Sequence, residues 1–105
     1  MEADGATRVL LIRHGRTAWN AGSRLQGHTD VPLDDEGRDQ ARRLAAALQR
    51  EPLDAIYSSD LARARDTARA LADTTAAPLR LDAGLRERGF GCFEGETFAD
   101  IERRW

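Results

Sequence analysis

Apolar residues fall into short continuous runs that are separated by longer amphipathic stretches. The run Val9-Leu10-Leu11-Ile12 leads straight into polar residues and predicts a strand over residues 8–12, buried on both faces of a parallel sheet. Shorter apolar runs at residues 53–57 and 79–81 predict a second and a third strand. The pattern therefore predicts three strands joined by long connections.

Three amphipathic stretches predict helices. Asp34 is the predicted N-cap of the first helix, which Pro52 ends. The second is predicted to take its N-cap from residues 58–60 and to run to about Asp73, and a last helix is predicted to start near Thr97. The positions expected to face the core are Ala41, Leu44, Ala45 and Leu48 in the first helix, Leu61, Ala64, Ala68, Leu71 and Ala72 in the second, and Phe98, Ile101 and Trp105 in the third.

This order of elements is typical of an α/β fold in which helices cover a parallel sheet. We therefore expect a three-layer α/β sandwich with a mostly parallel sheet. Three strands are few for such a sheet, which usually has about five to six. The expected fold is thus incomplete, with further elements after Trp105.

Composition limits the chain to one domain and excludes some partners. It has 105 residues, 41% of them hydrophobic, a net charge of -2 and a pI near 5.7, so no global field attracts nucleic acid or anionic lipid. No stretch is as long as a membrane span, and the N-terminus lacks the pattern of a signal peptide. Cys92, the single cysteine, predicts a reducing, cytoplasmic setting.

The candidate chemistry begins where the first predicted strand ends. His14 lies there, before a glycine and within a long polar connection over residues 13–30 of a kind that is usually functional. A neutral imidazole held by a backbone carbonyl could attack phosphorus, and nearby donors suit phosphoryl oxygens. These donors are Arg13, Arg16, Thr17 and Asn20. From spacing alone, a polar cap on a strand explains His14 and Arg13 equally well.

Four ordered motifs over residues 8–105 resemble the histidine phosphatase superfamily, also called the phosphoglycerate mutase-like family. Residues 13–20, Arg-His-Gly-Arg-Thr-Ala-Trp-Asn, resemble its RHG signature. Three later segments match its G-x-x-D-x-P-L-x-x-x-G-x-x-Q-A, S-x-L-x-R-A-x-x-T-A and L-x-E patterns. The matching residues include Gly27, Asp30, Pro32, Leu33, Gly37, Gln40 and Ala41, then Ser59, Leu61, Arg63, Ala64, Thr67 and Ala68, then Leu85, Glu87, Gly91, Glu94 and Gly95.

The resemblance implies a role for each matching site residue. His14 would be the phosphorylated nucleophile and Glu87 the proton donor, which would need a raised pKa to act as an acid near neutral pH. The residues expected to bind the phosphoryl group are Arg13, Arg63 and Asn20, with Thr17 as an additional contact. Gln26 and Gly27 would line the substrate mouth. The resemblance implies no metal and no organic cofactor.

Some residues without a family role are expected to be structural or solvated. Arg65 cannot share a pocket with Arg63, because residues two apart on a helix point in different directions. We expect Asp66 and Arg69 to be outer-face charges. His28 is expected on a solvated loop, and Cys92 and Glu94 are expected to serve packing and surface roles.

The chain departs from the family pattern in two ways. The family has a second pocket histidine in a later segment, whereas this chain has only His14 and His28, and His28 lies in a different motif. Family members are about twice as long, so residues 1–105 are expected to form the N-terminal half of a single domain. Phe90 stands where the glycolytic mutases carry a tyrosine, which favours a phosphatase over a mutase because phenylalanine has no hydroxyl.

Three hypotheses remain open at this stage. The first is a phosphatase of small phosphate monoesters that acts through a phosphohistidine on His14. The second is a phosphoglycerate mutase-type isomerase. The third is an inactive half-domain that binds at most phosphate and associates with a second copy or a complementary fragment, because unpaired strand edges invite pairing between chains.

Overall fold

Residues 6–105 are described by a computed structural model and form two strands and four α-helices. In chain order these are α1 (Ala18–Ala21), α2 (Asp35–Ala47), β1 (Ile56–Ser58), α3 (Ala62–Thr75), β2 (Leu79–Leu81) and α4 (Phe98–Arg104), with 3₁₀ turns at Ala83–Leu85 and Gly91–Phe93. The two strands pair in parallel with Ile56 opposite Leu79, and α3 connects them. This unit confirms the predicted α/β class with a parallel sheet.

Helix α2 starts and packs as its sequence predicts. The Asp34 side chain accepts a hydrogen bond of 2.7 Å from the Gly37 N–H, which caps the helix. Ala41 and Ala45 are buried on the side that packs against α3, together with Gly37. Small residues at these positions let the two helices lie close together.

Helix α3 starts differently from the prediction. Its N-cap residue is Leu61, which offers no side-chain hydrogen bond, so the expected cap within residues 58–60 is wrong. Asp60 is instead paired with Arg86. The Ala62 N–H donates to Asp30 Oδ1 at 2.7 Å, so a distant loop supplies the cap.

The hydrophobic core lies where α3 packs on β1 and β2. Ile56, Leu71 and Ala77 are buried at its centre. The partly buried residues around them are Leu48, Leu53, Ala68, Ala72 and Leu79. The core thus confirms Leu48 of the inward face predicted for the first helix and Ala68, Leu71 and Ala72 of the face predicted for α3.

The first predicted strand is absent. Residues 8–12 belong to no strand ladder in the described part of the chain, and the Leu11 side chain is 93% exposed. Its neighbours Val9, Leu10 and Ile12 are also exposed. A strand needs a neighbour for its backbone N–H and C=O groups, and within residues 6–105 β1 and β2 pair only with each other.

The two short helices, α1 and α4, differ in part from what the sequence predicts. Helix α1 lies inside the predicted connection, and α4 begins after the expected cap Thr97, whose side chain accepts from the Asp100 N–H. Phe98 and Trp105 are exposed rather than core-facing, whereas Ile101 is partly buried. The Trp105 ring packs edge to face against Phe93, with ring centroids 5.7 Å apart. Within residues 6–105, no helix has the length and apolar character needed to cross a membrane.

Candidate active site

The imidazole of His14 is oriented by the backbone of the next residue. Its Nδ1 lies 2.6 Å from the carbonyl oxygen of Gly15. A carbonyl can only accept a hydrogen bond, so this contact places the proton on Nδ1 and leaves the Nε2 lone pair free. The arrangement matches the geometry expected of a nucleophilic histidine.

Gly15 is fixed between the two long helices. Its N–H donates to Thr67 Oγ1 on α3 at 3.0 Å, and the Thr67 hydroxyl donates to the Arg63 carbonyl at 2.7 Å. A Cβ on Gly15 would lie only 2.5 Å from the carbonyl oxygen of Gly37 on α2. Glycine at position 15 therefore permits a backbone approach that holds His14 in place.

An open cavity of about 250 Å³ lies beside His14. It is lined by Arg13, His14, Arg16, Asn20 and Gln40. The cavity brings together four residues to which the sequence gives a possible site role, Arg13, His14, Arg16 and Asn20. Gln40 also lines the cavity but has no predicted role, although its position in a family motif is a signal that could have identified it. Its Oε1 accepts a hydrogen bond from the Arg16 N–H at 2.8 Å.

Thr17 and Asn20 are joined by a capping box at the start of α1. Thr17 is fully buried and its hydroxyl donates to Gln26 Oε1 at 2.6 Å. Asn20 Oδ1 accepts from the Thr17 N–H at 3.0 Å, so the NH₂ end of Asn20 is the part available as a donor. The cap thus fixes Asn20 at the cavity and links it to the Gln26 loop.

Arg63 and Glu87 form an ion pair although they lie 24 residues apart in sequence. Arg63 is 2% exposed, and its Nη2 donates to Glu87 Oε1 at 2.6 Å and to the Gly27 carbonyl at 2.6 Å. Its Nη1 donates to the Thr29 carbonyl at 2.8 Å. The Glu87 side chain is 47% exposed, so one end of the pair is buried and the other meets solvent.

The ion pair and the His14 cavity are adjacent parts of one network. Neither Arg63 nor Glu87 is among the described residues that line the cavity. The Thr67 hydroxyl joins the backbone carbonyl of Arg63 to the Gly15 N–H, and the Gly27 carbonyl that accepts from Arg63 follows Gln26, which accepts from Thr17. The structure therefore gathers all eight predicted site residues around two connected centres.

The charges beside Glu87 are arranged by a second ion pair. Arg86 donates to both carboxylate oxygens of Asp60, at 2.6 Å each. These hydrogen bonds lower the pKa of Asp60 below its usual value and raise that of Arg86. Asp60 thus holds the Arg86 guanidinium in place.

Two residues given minor roles by the sequence are central to the loops around Glu87. Glu94 accepts hydrogen bonds from the Thr29 hydroxyl and from the N–H groups of His28 and Phe90, so its expected surface role is wrong. The exposed His28 places its Nε2 2.8 Å from the Glu87 carbonyl. Their partners lie up to 66 residues away, which explains why local patterns miss them.

A metal site has no candidate in the part of the chain that the structure describes. No three His, Cys, Asp or Glu residues lie close enough to one another to hold an ion there. The charged groups that line the cavity beside His14 are the guanidinium groups of Arg13 and Arg16. The arrangement suits an anion bound by donors.

The chain is similar to known phosphoryl-transfer proteins. Residues 9–105 match the sequence model described as "Histidine phosphatase superfamily (branch 1)". The chain is 47% identical over 96 residues to glucosyl-3-phosphoglycerate phosphatase of Mycolicibacterium vanbaalenii. The matched region covers 90% of this chain and 42% of that relative. It is 40% identical over 97 residues to phosphoglycerate mutase-like protein 4 of Arabidopsis thaliana. That match covers 90% of this chain and 42% of the relative.

A solved structure extends the similarity to the fold. A mycobacterial glucosyl-3-phosphoglycerate phosphatase complexed with VO3 matches with a TM-score of 0.82 and 43% identity, over 86% of this chain and 43% of that one. The match confirms the predicted phosphoglycerate mutase-like fold. The chain spans less than half the length of these relatives.

Proposed function

Because the chain belongs to the histidine phosphatase superfamily, we propose that it hydrolyses small phosphate monoesters through a phosphohistidine on His14. The observation that carries the proposal is the 2.6 Å contact between Nδ1 and the Gly15 carbonyl, which leaves Nε2 as the nucleophile. The cavity beside it offers donors for the transferring phosphoryl oxygens.

The proposed reaction has two balanced steps. The Nε2 lone pair of His14 attacks phosphorus, the ester P–O bond breaks, and a protonated Glu87 gives its proton to the leaving oxygen. Water then attacks the phosphohistidine, Glu87 takes a proton from that water, and inorganic phosphate leaves. His14 and the protonated Glu87 are regenerated, so no further reactant is needed.

The other site residues have binding and positioning roles in this proposal. Arg13 and Asn20 donate to the phosphoryl oxygens, and Arg63 joins them by exchanging its hydrogen bond to Glu87 for one to a phosphoryl oxygen, which leaves Glu87 to carry the proton. Thr17 is fully buried and bonded to Gln26, so we assign it to positioning Asn20. Gln26 and the Gly27 carbonyl shape the substrate side next to Arg63.

We propose phosphorylated derivatives of glycerate as the first substrate class to test. The support is the 47% identity to a relative named for glucosyl-3-phosphoglycerate. A second candidate function, a phosphoglycerate mutase, is supported by the 40% identical mutase-like relative. Phe90 weighs against the mutase, because it cannot donate a hydroxyl hydrogen bond to an acceptor substrate.

The nucleophile is tested by comparing the chain with its His14→Ala variant. The chain is expected to hydrolyse p-nitrophenyl phosphate slowly, since it has no second pocket histidine, and His14→Ala is expected to abolish that activity. Acid-labile phosphate should map to His14 by mass spectrometry of the stopped reaction. Turnover unchanged by His14→Ala, or phosphate mapped to His28, would exclude the proposal.

The two candidate functions give different products from 3-phosphoglycerate. A phosphatase releases inorganic phosphate and glycerate, whereas a mutase forms 2-phosphoglycerate with no net release of phosphate. Phosphorus NMR distinguishes the products in one sample. We expect inorganic phosphate, with glucosyl-3-phosphoglycerate hydrolysed in a parallel assay.

A further inference from the structure

Glu94 is the point where two distant segments of the chain meet. Its Oε2 accepts from the N–H of His28 at 3.1 Å and of Phe90 at 3.0 Å, and its Oε1 accepts from the Thr29 hydroxyl. The Thr29 hydroxyl, followed by the two backbone N–H groups, lowers the pKa of Glu94 from 4.5 to about 2. The carboxylate is therefore ionised throughout the neutral range.

Both partners of the catalytic ion pair are bonded to residues that Glu94 holds. The His28 ring, whose backbone N–H is bound by Glu94, donates to the Glu87 carbonyl at 2.8 Å. Thr29, whose hydroxyl is bound by Glu94, accepts from Arg63 through its carbonyl at 2.8 Å. One carboxylate thus restrains the residues around Arg63 and Glu87 from two sides.

Other contacts hold the two segments together without Glu94. The Gly95 N–H donates to the Leu25 carbonyl at 2.7 Å, and the Leu25 N–H donates to the Glu96 carbonyl at 3.0 Å. Removal of the Glu94 carboxylate should therefore disturb the alignment of the segments more than their association.

We infer that Glu94 is a positioning residue that keeps the Arg63–Glu87 pair aligned. The inference rests on the proposed function, because Glu87 is the proton donor there. Glu94 itself touches neither the phosphoryl group nor its leaving group. Its effect on the reaction is exerted through His28 and Thr29.

The inference is tested with Glu94→Ala and Glu94→Gln, with Glu102→Gln on the exposed side of α4 as control. Glu94→Ala is expected to lower kcat for p-nitrophenyl phosphate by about 10- to 100-fold with a smaller change in KM, since small misplacements of catalytic groups have effects of this size. Glu94→Gln, which keeps one acceptor oxygen and the side-chain shape, should recover part of that loss.

A second measurement does not depend on turnover. The buried Arg63 guanidinium should give resolved nitrogen-bound proton signals in NMR spectra of the chain, and Glu94→Ala should shift or broaden them. A merely structural role would leave these signals and kcat unchanged in a folded variant, which would overturn the inference. If Glu94→Ala does not fold, the inference is tested with Thr29→Val, which removes the hydroxyl bonded to Glu94. This variant should likewise lower kcat and change the Arg63 signals, and no change in either would overturn the inference.

The two proposals fail in different ways. Activity that survives His14→Ala would overturn the proposed function whatever Glu94 does. Activity lost in His14→Ala but unaffected in Glu94→Ala, with unchanged Arg63 signals, would overturn only the role of Glu94. Glu102→Gln should match the parent chain in every readout.

Discussion

Gly27 has two independent reasons to be glycine. Its φ is +56°, a backbone conformation that residues with a Cβ rarely adopt, and an added Cβ would lie 2.8 Å from Glu94 Cδ. Gly91 has the same φ of +56°, but no atom lies within 4 Å of a Cβ built there. A comparison of Gly27 with Gly91 therefore separates the effect of backbone strain from the effect of a steric clash.

Alanine at these two glycines should therefore destabilise the chain unequally. Gly91→Ala is expected to lower the free energy of unfolding by about 1 kcal/mol through left-handed strain alone. Gly27→Ala should lower it by about 1–3 kcal/mol more, because Glu94 or the backbone must also move. Thermal unfolding followed by circular dichroism measures both, and equal losses would contradict the close approach of Glu94 to Gly27.

At the scale of elements, α3 takes its cap from another part of the chain. Helix α2 has an ordinary cap in Asp34, three residues before Gly37, whereas Asp30 caps α3 from 32 residues away. This bond fixes the loop that carries Gly27 and Thr29 to the helix that carries Arg63. The start of α3 is thereby coupled to the site.

Asp30→Ala is expected to lower the free energy of unfolding by about 1 kcal/mol, as the loss of an N-cap does. Asp30→Asn keeps an oxygen acceptor for the Ala62 N–H and should lower the free energy of unfolding much less than Asp30→Ala does. Asp34→Ala removes a local cap together with the 2.7 Å ion pair to Arg16, so it should lower the free energy of unfolding by at least as much as Asp30→Ala. Urea unfolding measures the three variants, and no loss in Asp30→Ala would mean that the long-range cap does not form in solution.

At the scale of the whole molecule, part of the apolar surface remains uncovered. The radius of gyration is 16.0 Å, whereas a compact chain of this length has about 13 Å. The exposed apolar run at residues 9–12 includes Val9 at 69% and Leu11 at 93% exposure. An apolar segment with unpaired backbone groups favours association with another chain.

The isolated 105-residue chain is expected to self-associate through this segment. Light scattering coupled to size-exclusion chromatography should give a mass above 11.6 kDa that rises with concentration. Leu11→Asp should shift the mass towards 11.6 kDa, whereas Leu85→Asp, at an exposed leucine outside the segment, should not. A folded monomer at all concentrations would contradict the prediction.

The sequence by itself determined the features that depend on local spacing. The caps at Asp34 and Thr97 and the inward faces of α2 and α3 follow from backbone periodicity and hydrogen bonding over a few residues. The order strand, helix, strand predicts the parallel pairing of β1 and β2. Family motifs identified His14, Arg63 and Glu87 as site residues. Their catalytic roles remain predictions, as does the assignment of residues 1–105 to the N-terminal half of one domain.

Only the tertiary structure decided which distant residues meet. The Asp30 cap on α3, the Arg63–Glu87 pair and the three donors on Glu94 join residues separated by many positions, and no local pattern encodes such contacts. The same reason explains the absent first strand, because the apolar run at residues 9–12 forms a strand only when a neighbouring strand accepts and donates its backbone hydrogen bonds.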